Sequence, residues 1–146
     1  MSTLADIKAK VAAALDPDTS EETRWDLSKD PSHEVRRAVA ESSFTPPDLL
    51  DVLTLDESGS VRTGAAKNPH TPLVGVLELA GDDQGRVAHT ARTALCDPER
   101  FSPEVNRAGA AALEARSVID AFAELARTGS VEERRALAAA TWDQET

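Results

Sequence analysis

Asp30 and Arg36 stand six positions apart in DPSHEVRRAVA, and Asp56 and Arg62 repeat the spacing in DESGSVRTGAA twenty-six residues later. A carboxylate beside a guanidinium suggests acid–base chemistry, because the cation lowers the carboxyl pKa. That same shift keeps the carboxylate ionised at neutral pH and makes it a poor proton shuttle. An active site also needs one constellation, whereas a stack of repeated elements needs the same contact at every junction. The residues Asp30, Arg36, Asp56, Arg62 and Asp82 are therefore expected to form a structural ladder, with Ala88 replacing the third Arg.

The other chemically capable residues point to structure in the same way. His33, His70 and His89 share no phase of the repeat and show no metal-ligand spacing. DPDTSEETRWDL, from Asp16, starts like a calcium loop but places Glu21 where the sharp turn needs Gly and Leu27 where a bidentate Glu belongs. Asp18 or Ser20 as a helix N-cap, with Glu21 and Glu22 in the first turn, explains the same letters. Cys96 has no activating base nearby in sequence and reads as a small buried hydrophobe at a helix end. No phosphate loop, serine elbow or zinc pattern occurs, so the expectation is no enzyme, no cofactor and no metal.

The elements that carry these residues follow from the same offset, which aligns Asp30, Asp56 and Asp82, then Val35, Val61 and Val87, then Pro46, Pro72 and Pro98. FTPPDLLDVL and HTPLVGVLEL each begin a short helix, with Thr45 and Thr71 expected as N-caps and Pro46 and Pro72 in the first turn. A second helix follows each Asp turn, and Val35, Ala38 and Val39 give it one apolar stripe. Neither helix buries its stripe alone, whereas stacked neighbours do. The period predicts a single all-α domain over 1–146, a solenoid of antiparallel helix pairs with about ten helices and no sheet. Clear repeats span about 30–55, 56–81 and 82–107, flanked by helices within 4–29 and 102–141, where Ser102 and Ser117 serve as N-caps and Gly129 follows a helix end.

Composition agrees with thin, closely packed helices: hydrophobic residues are 40% of the chain, but aromatic ones only 3%. The formal net charge of -10 disfavours nucleic acid and anionic membranes, and residues 56–107 alone hold eight acids against six bases. The opening MSTLADIKAKVAAALDPDTS reads as an amphipathic helix rather than a leader or membrane span. A single cysteine fits a reduced, cytoplasmic setting, and the Ala, Asp and Arg richness hints at a bacterial or phage source. Trp25 and Trp142 lie toward opposite ends of the array, as closing caps or as exposed partner hot spots.

LSKDPSHEVRRAVAESSFTPPDLLDVLTLDESGSVRTGAAKNPHTPLVGVLEL resembles the HEAT-like α-solenoid superfamily, and within it the leucine-rich repeat variant. The resemblance covers Leu27 to Leu95, about half the chain. It implies a right-handed curved stack, a turn-Asp to helix-Arg ladder between units, and a concave face that binds a protein or peptide partner. It implies no iron–sulfur cluster, since the cysteine-rich segment of the variant is missing. With the Val, Ala and ladder positions used internally, Glu34, Arg37, Glu41, Thr63, Lys67, Arg86, His89 and Thr93 are expected on that face. The expected function is scaffolding or partner binding by a monomer or weak homo-oligomer. The alternatives are nucleic-acid binding through Arg37, Lys67, Arg86 and Arg92, and, last, an enzyme whose site the sequence does not reveal.

Overall fold

Thr3 starts the first helix with a reciprocal cap, its hydroxyl accepting from Asp6 N–H while the Asp6 carboxylate accepts from Thr3 N–H. The computed structural model describes residues 3–114 and 117–140 and places ten helices in them, with no strand among those residues. They are α1 (Leu4–Leu15), α2 (Glu21–Leu27), α3 (His33–Glu41), α4 (Pro47–Leu53), α5 (Gly59–Lys67), α6 (Leu73–Ala80), α7 (Gly85–Leu95), α8 (Pro103–Glu114), α9 (Val118–Thr128) and α10 (Val131–Ala139). None of these helices is long and apolar enough to cross a membrane.

The chain divides into two compact units, Met1–Thr71 and Pro72–Thr146, where the period predicts one uninterrupted array. The boundary cuts the expected repeat 56–81 between α5 and α6. In the first unit α1, α3 and α5 pack side by side in chain order, with α2 against α1 and α3, and α4 against α3 and α5. Small residues allow this close approach. Ala14, Val35, Val39, Ala40, Leu49, Val61 and Ala65 are fully buried in one cluster, against which Trp25 packs from its margin.

The second unit departs from the period. α6 packs on α7, α7 on α8, α8 on α9 and α9 on α10, and α10 returns to α6. Pro98, which the offset aligns with Pro46 and Pro72, opens no helix: Arg100 and Phe101 N–H both donate to Asp97 O in a turn, and α8 begins at Pro103, directly after Ser102 as its expected N-cap role requires. The physical reason lies in α8, whose Asn106 amide reaches back to the carbonyls of Leu95 and Asp97 and closes the end of α7.

Two capping expectations also change. Thr45 and Thr71 are not N-caps; their buried hydroxyls donate to Val39 O and Ala65 O at 2.6 Å, and Pro46 and Pro72 take the N-cap position. Thr19, one repeat earlier, does the same to Ala13 O. These hydroxyls satisfy carbonyls that a helix end leaves without intrahelical partners. Ser20 caps α2, Ser102 accepts from Val105 N–H at the start of α8, and Ser117 precedes α9 without a side-chain cap bond.

Candidate functional site

The charged repeat residues join one turn to the next. Arg36 Nε donates to Asp56 Oδ2 at 2.9 Å, and its Nη1 donates to the carbonyls of Asp30 and Pro31. Arg62 Nη1 donates to Asp56 O in the same way. One repeat before Arg36, Lys10 pairs with Asp30 Oδ1 at 2.7 Å, a rung that an Asp-to-Arg search passes over because the cation is Lys. Each Asp also accepts from the N–H two residues on, Ser32 for Asp30, Ser58 for Asp56 and Gln84 for Asp82. Burial pushes the Asp30 carboxyl pKa up, but Lys10, Ser32 N–H and Arg36 outweigh it and hold the group below its ordinary value. An Asp fixed as an anion by this many donors is a strut.

Arg24 repeats the Asp-five-Arg spacing but serves differently. It is 1% exposed, donates to the carbonyls of Ala14 and Asp16 and to Ser42 Oγ, and lies 5.7 Å from the Phe44 ring centroid. The next helix end in this unit has its own donor, since Asn68 Nδ2 serves the carbonyls of Ala40 and Ser42. Arg24 and Asn68 thus perform one task, closing the C-terminal ends of α1 and α3 at carbonyls twenty-six residues apart. Sequence comparison does not connect an Arg with an Asn.

The open surface of the first unit has a groove of about 360 Å³ between α1 and α3, lined by Ile7, Lys8, Val11 and Leu15 from one helix and Glu34, Arg37, Ala38 and Glu41 from the other. Three of the expected partner-facing residues, Glu34, Arg37 and Glu41, therefore meet in one place. Arg37 Nε donates to Glu41 Oε1 at 3.0 Å along the α3 surface. Beneath them Gly64 of α5 leaves room: a Cβ there would stand 3.1 Å from Glu41 Cγ and 3.5 Å from Arg37 Cγ. Thr63 and Lys67 lie on α5, where the Thr63 hydroxyl bonds back to Gly59 O and Lys67 is exposed.

The α1 side of the groove was missed, although the repeat contains the signal. Stepping back twenty-six residues from Glu34, Arg37 and Glu41 gives Lys8, Val11 and Leu15. The same surface positions are thus charged on α3 but largely apolar on α1, and Leu15 is 49% exposed.

Arg86, His89 and Thr93 are exposed on α7, in the second unit. Arg92 is removed from the nucleic-acid set, because its guanidinium donates to Ala80 O and Ala112 O at 2.8 Å each, and burial draws its pKa down. His33 and His70 are exposed, and among the described residues no three His, Cys, Asp or Glu are grouped to hold a metal. Burial raises the Cys96 thiol pKa, the wrong direction for a nucleophile. Trp142 lies outside the described residues.

Comparison with family models, with curated proteins and with solved structures gives no match.

Proposed function

We propose that the chain is a non-enzymatic interaction module of HEAT-like helical repeats, and that the α1/α3 groove receives a segment of a protein or peptide partner. The observation that carries this is the exchange of charged for apolar side chains at two repeated groove positions, Val11 and Leu15 against Arg37 and Glu41. Apolar side chains left in an open trough with a charged rim are the usual makings of a recognition surface. The rim is of mixed sign, with Arg37 already matched by Glu41, which favours a polypeptide over a polyanion.

Affinity capture from the native host, followed by mass spectrometry, tests the proposal when parent and Leu15→Asp are run side by side. Leu15→Asp should melt within a few degrees of the parent and lose the specific partner at least about tenfold, as expected of an anchor in a groove. Equal recovery by both proteins would remove the groove from the function.

A further inference from the structure

Resting on the reading of the groove as a recognition surface, the geometry points to its occupant: we infer that it takes a short cationic amphipathic helix. Ile7, Val11 and Leu15 are spaced by four residues on α1, so the apolar wall runs about 12 Å at 1.5 Å per residue. A partner helix with apolar residues at i, i+4 and i+7 presents anchors over about 10.5 Å, which matches that wall. An extended strand advances about 3.3 Å per residue and places alternate side chains on opposite faces, so it would set fewer anchors along the same length.

The sign of the partner follows from the opposite wall and from the unit that carries it. Glu34 and Glu41 are exposed and two helical turns apart on α3, flanking the groove. Arg37 and Glu41 neutralise one another across their ion pair, which leaves Glu34 as the unmatched charge on the α3 wall and Lys8 as the one cation on the α1 wall. Residues 1–71 hold thirteen Asp and Glu against eight Lys and Arg. Four of those eight cations, Lys10, Arg24, Arg36 and Arg62, are drawn into internal bonds, against two carboxylates, Asp30 and Asp56, so the surface left to a partner is more acidic than the count. A helix bearing Lys or Arg on the flank facing α3, away from Lys8, complements Glu34, can share Glu41 with Arg37, and is steered toward the acidic unit.

The test uses three synthetic helical peptides of about fifteen residues. One has Leu at i, i+4 and i+7 with Lys flanks, the second has Glu flanks, and the third has Lys flanks with Ser replacing Leu. Binding to the full chain is followed by calorimetry and by the amide and methyl signals of Ile7, Val11 and Leu15. The Leu–Lys peptide should bind at least about tenfold more tightly than either control, move those signals, and lose about tenfold in Leu15→Asp and in Glu34→Lys/Glu41→Lys. Equal or tighter binding of the Glu-flanked peptide would overturn the cationic assignment and leave the groove reading standing. Equal binding of the Ser peptide would reduce the effect to general attraction to an acidic protein and overturn the inference. If no peptide moved those signals, or if sedimentation showed a second copy of the chain filling the groove, both readings would fall.

Discussion

The guanidinium of Arg36 serves two turns at once: it holds the carbonyls of Asp30 and Pro31 in its own turn and the Asp56 carboxylate of the next. Its side chain is 10% exposed and that of Asp56 9%, so truncation strands a buried carboxylate as well as two carbonyls. Arg36→Ala should therefore cost about 3 kcal/mol in urea unfolding, and Arg36→Lys should recover little of it because an ammonium lacks the planar fork. Its neighbour Arg37 is half exposed and paired along the surface, so Arg37→Ala should change stability by less than about 1 kcal/mol. Equal stability of Arg36→Ala and the parent would defeat the strut assignment. The Asp and Arg of this ladder were legible in the sequence because chemistry and spacing recur together. Lys10 and Arg24 were not, since the first changes residue type and the second keeps the spacing but turns its donors to helix-end carbonyls.

Helices in this chain meet where small residues let them, and two glycines show the difference between a tight contact and a forgiving one. A Cβ on Gly109 would stand 2.8 Å from Leu95 Cβ and 3.1 Å from the Leu95 carbonyl carbon, atoms of the α7 backbone region that cannot swing aside. On Gly64 it would stand 3.1 Å from Cγ of the flexible Glu41 and 3.3 Å from Ala40 Cβ, so the neighbours need give only a few tenths of an ångström. Gly109→Ala should lose about 2 kcal/mol through overpacking, whereas Gly64→Ala, offset by about 1 kcal/mol of helix propensity, should be near neutral; thermal unfolding of the pair distinguishes them. α10 is the other informative element. It buries no side chain fully, and its Glu133 carboxylate accepts from the Ser102 hydroxyl and from Ser130 N–H. Burial raises the Glu133 pKa, but the Ser102 and Ser130 bonds more than reverse this and leave it lowered. A carboxylate whose folded pKa is lowered stabilises the fold above its unfolded value, near 4.3, and that contribution disappears as pH falls through the folded value. Protection of the α10 amides, taken relative to the intrinsic exchange rate at each pH, should accordingly fall in the parent as pH drops below the unfolded value, with Glu133→Gln already poorly protected at neutral pH; identical protection in the two proteins at neutral pH would show that the carboxylate does not hold the helix. Helix type and approximate extent were legible here from apolar spacing. The closing of α7 was not, because it depends on Asn106 reaching back from the following helix to the carbonyls of Leu95 and Asp97.

At the scale of the molecule, a period of twenty-six residues produces two compact units, the first with its helices in regular succession and the second with α10 returning to α6. The sequence shows the period but not this division, since contacts between helices distant in the chain leave no offset to detect. Half of the groove was legible, as Glu34, Arg37 and Glu41. The other half lay in Val11 and Leu15, which break the charged pattern and so read as core; Val11 does pack partly against the core, whereas Leu15 stands half exposed. The central claim is that this departure from the repeat marks where a partner sits. Hydrogen–deuterium exchange of the chain with its captured partner tests it most directly. Protection of the α1 and α3 peptides containing Val11, Leu15, Arg37 and Glu41, beyond that of any other helix, is the predicted result. A footprint that leaves α1 and α3 unchanged would contradict it.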